Sequence, residues 1–382
     1  MPIYHTLGRL PAKRHQIFRQ PSGALYAEEL MGNMGFIGPS SLLYHLHPPT
    51  EIRSVKPVAH FNLPAAPSRP LRHRHFRTRE LGQINERVPL LFNTGVTISL
   101  MHATPAEPVF YRNAQADEIV YVSHGEGVLA SPFGQLKFQS GDYLVIPRGI
   151  VHCYRLAAGA TLLVIESRGF VRTPKRYRNE YGQLLEHAPY SERDFRRPAE
   201  LETHDEKGDF PVLVRKDNML VELTYAHHPF DLIGWDGCYY PWAFSIHDFE
   251  PRTGRFHLPP PIHQTFESDD FVVCSFCPRP YDFDPTAVPA PYSHSNVMSD
   301  ELLYYANAEF MSRSGIEYGS ITLHPDGLAH GPQPGRTEKL IGQKETSELA
   351  VMVDTFHPLQ VAEPALAIED EDYWKSWLTG QS

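Results

Sequence analysis

Short apolar runs separated by turn residues make up most of the chain. EIVYV, YLVIP, FVVCSF and LAVMVD are examples, and they are rich in β-branched and aromatic residues. Such runs, bounded by turn residues, predict short strands. The 35 prolines and 26 glycines of the chain lie scattered between them, which argues against long helices. The pattern therefore predicts a mostly β protein.

Helical periodicity occurs near the C-terminus, in the stretch ALAIEDEDYWKSWL. A helix there would place four side chains on one packing face: Leu366, Tyr373, Trp374 and Trp377. We expect this segment to be a helix that docks on the β structure.

One spacing of Gly, Pro, Gly and His occurs twice, about 180 residues apart. The first copy is Gly141-Asp-Tyr-Leu-Val-Ile-Pro-Arg-Gly-Ile-Val-His152, and the second is Gly319-Ser-Ile-Thr-Leu-His-Pro-Asp-Gly-Leu-Ala-His330. Upstream of each, an acidic pair opens an apolar run: Asp117-Glu118 and Asp300-Glu301. An internal repeat of this kind predicts two copies of one structural unit.

The repeat suggests three parts of the chain. We expect an N-terminal segment and a first unit in residues 1–171, and a second unit with the C-terminal helix in residues 211–382. Residues 172–210 are dense in charge and poor in β-branched residues, which is typical of a long connection.

These spacings resemble the two motifs of the cupin superfamily, G-x5-H-x-H-x3-4-E-x6-G and G-x5-P-x-G-x2-H. The resemblance implies a bicupin, in which two small double-sheet jelly-roll barrels follow an N-terminal β extension. Residues of a strand alternate between its faces, so ligands from the first motif can point into the barrel. The final His of the second motif would join them from a neighbouring strand.

Only the second copy has a complete set of candidate metal ligands. His294, Glu301 and His330 form a set of two histidines and one carboxylate, which leaves three coordination positions open and is typical of non-haem Fe(II) oxygenases. The first copy has Tyr111 at the position that corresponds to His294. We therefore expect a degenerate first cupin and a metal-binding second cupin.

Two segments of the second copy, HSNVMSDE and LAHGP, are similar to the iron-site segments of homogentisate 1,2-dioxygenases. Further similarity lies in LYAEEL, LLYHLHP and GWDGCYYPW. The resemblance implies an Fe(II) enzyme of tyrosine and phenylalanine catabolism that opens a para-dihydroxylated ring with O2, giving 4-maleylacetoacetate from homogentisate. It also implies a homo-oligomer, a trimer or a hexamer made of two trimers.

The resemblance also implies roles for residues outside the metal set. His263 matches the general base that deprotonates the ring hydroxyl. Tyr292, His324 and His330 match substrate-contacting positions, whereas Phe310 stands where the family has a second tyrosine for the substrate carboxylate. Arg313 could supply a charged replacement, or the substrate could differ from homogentisate.

The carboxylate ligand has two candidates. In the family that this chain resembles, the Glu ligand lies six residues after the His, and this spacing from His294 selects Asp300. In both repeats a small residue follows the acidic residue by seven positions, and this spacing back from Ala308 selects Glu301. The parallel acidic pair of the first repeat favours Glu301, with Asp300 as the alternative.

Composition narrows the classes of partner. A net charge of −10 argues against binding of nucleic acid over a broad surface. No apolar run approaches the ~20 residues that span a bilayer, so we expect no signal peptide or membrane anchor and a cytoplasmic location. Four cysteines are too few to stabilise a chain of this size by disulfides, which fits a reducing compartment.

The basic stretch RPLRHRHFRTR could bind an acidic neighbour, but a solvated or partner-facing loop is favoured.

Two alternative functions stay open at this point. Phe310 and the open coordination positions also fit another metal-cupin reaction, such as cleavage of gentisate-like acids or an isomerisation. The degenerate first copy fits a non-catalytic bicupin that binds a ligand or a protein. The ring substituent of the substrate cannot be inferred from spacing.

Overall fold

The computed structural model describes residues 3–82, 86–258 and 260–378, and most of its regular structure is strand. The strands as far as the middle of the chain are β1 (His5–Gly8), β2 (Ala27–Gly32), β3 (Ser40–His45), β4 (Ile52–His60), β5 (Arg74–Arg77), β6 (Val88–Phe92), β7 (Val96–Ala103), β8 (Phe110–Asn113), β9 (Asp117–His124), β10 (Glu126–Ser131), β11 (Gly134–Gln139), β12 (Asp142–Ile146), β13 (Cys153–Leu156) and β14 (Ala160–Ser167). The later strands are β15 (Phe195–Arg196), β16 (Lys207–Lys216), β17 (Met219–His227), β18 (Leu232–Gly237), β19 (Trp242–Ser245), β20 (Gln264–Glu267), β21 (Phe271–Phe276), β22 (Arg279–Pro280), β23 (Asp300–Tyr305), β24 (Ser320–His324), β25 (Glu345–Thr346), β26 (Ala350–Thr355) and β27 (Gln360–Val361). The predicted mostly β class is confirmed.

Helices are short in the described part of the chain. The α-helices are α1 (Arg336–Leu340) and α2 (Glu363–Leu366). The 3-10 turns are Thr78–Leu81, Lys175–Tyr177, Glu192–Asp194, Ile246–Asp248, Pro260–His263 and Tyr373–Trp377.

The C-terminal helical region consists of α2 and the 3-10 turn Tyr373–Trp377, separated by an acidic segment. The side chain of Asp370 accepts a hydrogen bond from the backbone N–H of Asp372 at 3.2 Å. Such local bonds of acidic side chains compete with helical hydrogen bonds, which explains the interruption. Tyr373 is buried, but Trp374 is 41% exposed and lies off the predicted packing face.

The described contacts divide the chain into two compact units. One comprises Met1–Asn62, Ala103–Leu162 and Glu192–Phe244, and the other comprises Leu63–His102, Leu163–Ser191 and Ser245–Ser382. Each unit combines segments that are distant in sequence. The predicted division into 1–171, 172–210 and 211–382 stays a prediction.

The first unit contains the first copy of the repeated motif. Its strands form sheets of order β1-β18-β3-β2, β4-β17-β16-β8 and β11-β10-β13, and β9 pairs with β12. One core cluster of this unit consists of buried side chains from β10, β13, β16 and β17 and from nearby loops, namely Ala130, Val151, Cys153, Val212, Val214, Tyr225 and Phe230.

The second unit contains an antiparallel sheet of order β20-β21-β26-β23-β24-β5. The central strand β23 is buried at every position, which explains its apolar run. In the register of this sheet Glu301 lies opposite His324 of β24 and opposite Asp354 of β26. Paired residues of antiparallel strands share one face of the sheet. These three polar side chains therefore lie on the same face.

The basic stretch around β5 binds the C-terminal segment. The solvent-inaccessible side chain of Glu369 lies 3.4 Å from Arg69, 3.0 Å from Arg72 and 2.6 Å from Arg74. Arg77 pairs with Asp370 at 2.9 Å. The expectation of a solvated or partner-facing loop is therefore wrong, because an acidic neighbour from the same chain neutralises these arginines.

Candidate metal centre

Three segments of the second unit place the candidate metal ligands. Glu301 is the second residue of β23, and His294 precedes this strand. His330 follows β24 after a turn in which Gly327 has a φ of 74°, a conformation that favours glycine. His294 and His330 exchange two backbone hydrogen bonds of 2.8 Å, and their ring centroids lie 4.3 Å apart. The backbone pairing therefore holds the two imidazoles together.

The ligand atoms of His294, Glu301 and His330 lie within 4.8 Å of one another. Oε2 of Glu301 is 3.6 Å from Nε2 of His294 and 3.4 Å from Nε2 of His330. Nδ1 of His294 lies 3.3 Å from the carbonyl oxygen of Tyr292, and Nδ1 of His330 lies 3.2 Å from that of Leu328. These carbonyls assign the proton to Nδ1 and leave the Nε2 lone pairs directed at the centre.

The carboxylate of Glu301 is oriented by His324. Nδ1 of His324 donates to Oε1 of Glu301 at 2.7 Å, so that Oε2 is the oxygen left for a metal ion. Burial raises the pKa of Glu301, but the three neighbouring imidazoles of His294, His324 and His330 outweigh burial and hold this pKa well below its usual range. Burial and the charge of Arg313 lower the pKa of His324 to about 3. A neutral donor therefore holds an ionised ligand, as is common around protein metal sites.

The donor set fits a divalent metal ion. His330 is 2% exposed, and its Nε2 forms no hydrogen bond with any residue in the described ranges. An unsatisfied buried nitrogen is costly, and a bound cation would satisfy it together with Oε2 of Glu301. Two imidazoles and one carboxylate suit several first-row metals, among them iron.

Asp300 has different partners from Glu301. Its Oδ1 accepts a hydrogen bond from the backbone N–H of Asp326 at 2.8 Å, and its Oδ2 accepts one from Leu359 at 2.6 Å. Successive residues of a strand point to opposite faces, so only one member of the acidic pair can face the histidines. In the described structure that member is Glu301.

A cavity of about 210 Å³ lies beside the ligands, with His294 and Glu301 in its wall. Its apolar lining includes the side chains of Phe276, Leu303, Phe310 and Met352. An apolar cavity of about 150 Å³ can hold benzene. The cavity therefore has room for one aromatic ring with a small substituent.

His263 lies in the wall of the same cavity and is only 7% exposed. Burial lowers the pKa of His263 well below its usual range, and the charge of Arg279 lowers it further. Its ring packs against Phe276 at 4.7 Å between centroids, and its Nδ1 forms no hydrogen bond within the described residues. The structure therefore presents a neutral imidazole beside the candidate metal ligands.

Arg313 is a buried cation in the cavity wall, with 4% exposure. It donates to the carbonyl oxygen of Gly331 at 2.5 Å, and its guanidinium carbon lies 5.2 Å from the centroid of the Trp377 ring. No carboxylate among the described residues forms an ion pair with it. Buried charges are normally paired, so this guanidinium favours an anionic ligand.

The remaining predicted contacts differ in position. Phe310 lines the cavity, whereas Tyr292 is 60% exposed, lies outside the lining and packs against His257, a lining residue, at 5.1 Å between ring centroids. His324 is fully buried and contacts the carboxylate of Glu301. The predicted substrate contacts of Tyr292, His324 and His330 stay predictions.

Asp354 is a cavity-lining residue that the sequence analysis missed. Its Oδ1 is buried and forms no hydrogen bond with the part of the chain that the structure describes. Burial, and then the charge of Glu301, raise the pKa of Asp354 to about 8. The one signal in the sequence was an acidic residue inside the apolar run AVMVDT.

Comparison with known proteins identifies the family of this chain. Residues 78–246 match the N-terminal domain of homogentisate 1,2-dioxygenase, and residues 259–382 match its C-terminal domain. A Saccharolobus solfataricus protein that is provisionally named a dioxygenase is 42% identical over 388 residues, which cover 99% of this chain and 100% of that protein. The chain belongs to the homogentisate 1,2-dioxygenase family. The resemblance inferred from the motifs is therefore confirmed.

Proteins of lower sequence identity also match this chain. The homogentisate 1,2-dioxygenase of Bradyrhizobium diazoefficiens is 28% identical over 291 residues, which cover 70% of this chain and 62% of that protein. A solved cupin 2 conserved barrel domain protein from Leptotrichia buccalis is 11% identical, covers 78% of this chain and 100% of its own, and has a TM-score of 0.33. The predicted mostly β class agrees with the described strands, and the two family matches cover both copies of the repeated motif. Among the described residues, no helix has the length and apolar character needed to cross a membrane.

Proposed function

We propose that the protein is an Fe(II)-dependent ring-cleaving dioxygenase that opens homogentisate, or a closely related carboxylate-bearing para-hydroquinone, with O2. The observation that carries the proposal is the meeting of His294, Glu301 and His330 at a cavity of single-ring size that also contains neutral His263. With homogentisate, the bond between the acetate-bearing carbon and the adjacent hydroxylated carbon breaks. Both atoms of O2 enter the product, 4-maleylacetoacetate.

The three ligand side chains hold the metal in this proposal. A bound Fe(II) would supply a binding position for the ring hydroxyl and O2 and would allow electron transfer between them. His263 accepts the proton of the incoming ring hydroxyl at Nδ1, the nitrogen without a partner among the described residues. Because burial keeps this imidazole neutral, it is ready to act as a base at neutral pH.

Charge complementarity supports a carboxylate on the substrate. Arg313 is buried in the cavity wall without an acidic partner among the described residues, so a substrate carboxylate would be its counter-ion. A guanidinium binds a carboxylate through parallel hydrogen bonds, which fixes orientation as well as charge. The side chain of Phe310 cannot form a hydrogen bond, so in this proposal Arg313 is the main group that binds the substrate carboxylate. Tyr292 lies outside the cavity lining and is exposed.

Oxygen consumption tests this function. Purified protein is loaded anaerobically with Fe(II), and O2 uptake is measured with homogentisate, gentisate and unsubstituted hydroquinone. We expect uptake with homogentisate or gentisate to exceed that with hydroquinone. His263→Ala should keep its iron and lose roughly 10²- to 10⁴-fold in turnover, the usual contribution of a general base. His330→Ala should lose iron, and a fully active His330→Ala protein would contradict the proposal.

Cleavage of a gentisate-like acid is the second candidate, because Phe310 provides no partner for the longer acetate side chain. The ranking of homogentisate and gentisate in the same assay decides between them. A protein that binds no ion after Fe(II) loading would instead support a non-catalytic ligand-binding bicupin. We further propose a cytoplasmic homo-oligomer, a trimer or hexamer, that acts in aromatic amino-acid catabolism, and light scattering of the purified protein tests the assembly.

A further inference from the structure

We propose that Asp354 is an outer carboxylate of the metal centre, a positioning residue that strengthens binding of the divalent ion without ligating it. The inference rests on the proposed function only in that His294, Glu301 and His330 must bind a divalent ion. Asp354 would be a fourth protein group of the centre, whose three candidate ligands belong to the sequence motifs.

The sheet register places Asp354 beside the ligand carboxylate. Glu301 of β23 and Asp354 of β26 are directly paired, with Leu302 opposite Val353 as the next pair. Side chains at directly paired positions lie on one face, with Cβ atoms about 4.5–5.5 Å apart. Both carboxyl groups, together with His294, line the same cavity. Asp354 therefore faces the centre and not the opposite side of the sheet.

Asp354 is outside the group of ligand atoms, which consists of His294, Glu301 and His330 among the described residues. Its Oδ1 is nevertheless buried and without a hydrogen bond from the described chain. The other three ligand positions of a two-His, one-carboxylate centre are filled by solvent or substrate groups. Oδ1 can accept a hydrogen bond from such a group, as outer carboxylates do around protein metal sites.

The charges around Asp354 favour this role over a packing role. Two carboxyl groups on one buried face are costly, whether the second is ionised or protonated, and a divalent cation that binds beside them removes this cost. His294 lines the same cavity as both groups and offers its Nε2 to the ion as a ligand. The four residues of β26 that precede Asp354 are apolar, so Leu or Val at position 354 would suit packing alone. A carboxyl group here is costly unless an ion or a ligand compensates for it.

The test measures metal binding itself, with metal alone as the probe. Asp354→Asn keeps the shape and removes the charge, and Asp354→Glu keeps the charge. Affinity for Fe(II), under anaerobic conditions, and for Co(II) is measured by competition with a chromophoric chelator. We expect Asp354→Asn to weaken binding by roughly 10- to 100-fold, the usual effect of losing an outer partner. Asp354→Glu should recover most of this affinity, and the Co(II) absorption bands should shift in Asp354→Asn.

Thermal unfolding separates this role from a structural one. In the metal-free protein Asp354→Asn removes a buried carboxyl group that lacks a compensating partner among the described residues, so its Tm should equal or exceed that of the parent, while the metal-induced rise in Tm should shrink. The same exchange at Asp209, an exposed partner of Arg53, serves as the control and should change neither quantity.

Three results would overturn the inference. Equal metal affinity of the parent and Asp354→Asn would overturn the inference. If the parent still opened the ring, the proposed function would stand. A lower Tm of metal-free Asp354→Asn with unchanged affinity would assign a packing role. A parent protein that binds no divalent ion would overturn both the inference and the proposed function.

Discussion

The hydrogen bond from His324 to Glu301 offers a quantitative test of how the centre is organised. His324→Leu fills a similar volume but removes the Nδ1 donor that lies 2.7 Å from Oε1. A hydrogen bond to a charged group contributes about 1.5–3 kcal/mol. At about 1.4 kcal/mol for each factor of ten, its loss corresponds to a roughly 10- to 150-fold change in an equilibrium constant. Because the ionised carboxylate is the metal ligand in this account, we expect metal affinity to fall by a factor within that range.

Chelator competition with Fe(II) or Co(II) measures the affinity, and thermal unfolding of the metal-free protein measures stability. The matched control is Ile146→Ala, because Ile146 is the residue of the first repeat that corresponds to His324 and is likewise buried. Ile146→Ala should lower stability by about 2–5 kcal/mol and leave metal affinity unchanged. If His324→Leu bound metal as tightly as the parent, the hydrogen bond would not organise the ligand, and the account of Glu301 would be refuted.

Three further predictions concern substrate charge and pH. Arg313→Met should lower kcat/KM for homogentisate by roughly 10- to 100-fold, the value of a lost charged hydrogen bond, with little change for unsubstituted hydroquinone; equal losses in steady-state kinetics would contradict a carboxylate contact. Because burial holds the pKa of His263 well below its usual range, a pH profile of kcat/KM should show no acid limb near the ordinary imidazole pKa of about 6.5, and a limb there would show that the base titrates normally. Burial lowers the pKa of His45, but hydrogen bonds to Asp231 and Glu29 outweigh burial and raise it to about 9. The resulting stabilisation is complete below the unfolded pKa and is lost as pH rises through about 9. Denaturant unfolding at pH 6 and pH 10 should therefore show an alkaline loss of roughly 3 kcal/mol in the parent that His45→Gln lacks; the same loss in His45→Gln would contradict the assignment.

Much of the candidate centre could be predicted because it depends on local spacing. The Gly and Pro residues of the second motif determine a turn, and strand alternation directs His330 and a carboxylate to one side. The choice between Asp300 and Glu301 could not be made from spacing, because a one-residue shift reverses the face of a strand. The two backbone amides bound by Asp300 distinguish the pair in the structure.

Contacts between distant strands could not be predicted in the same way. Asp354 lies on β26, which has no motif, and its position opposite Glu301 follows from strand pairing. The register of β23 and β24 likewise gives His324 a contact with Glu301, where the sequence suggested a contact with substrate. Glu369 neutralises the basic stretch around β5 from a segment that is far away in sequence, so composition favoured the wrong environment.

The helical pattern at the C-terminus was partly informative. Tyr373 and Trp377 lie in one helical turn, and Trp377 packs near His73 with ring centroids 4.8 Å apart. The acidic residues between α2 and this turn bind the arginines around β5 and the local backbone, which prevents a continuous helix. Periodicity detects a packing face, but it does not show which side chains will be withdrawn from the helix by ion pairs.

The most direct test of a catalytic iron centre compares iron content and O2 uptake in the parent protein and His330→Ala after anaerobic Fe(II) loading. The account predicts one iron per chain in the parent, and one O2 consumed for each homogentisate or related hydroquinone opened. His330→Ala should retain neither iron nor uptake. A parent without iron, or a His330→Ala protein with full activity, would contradict it.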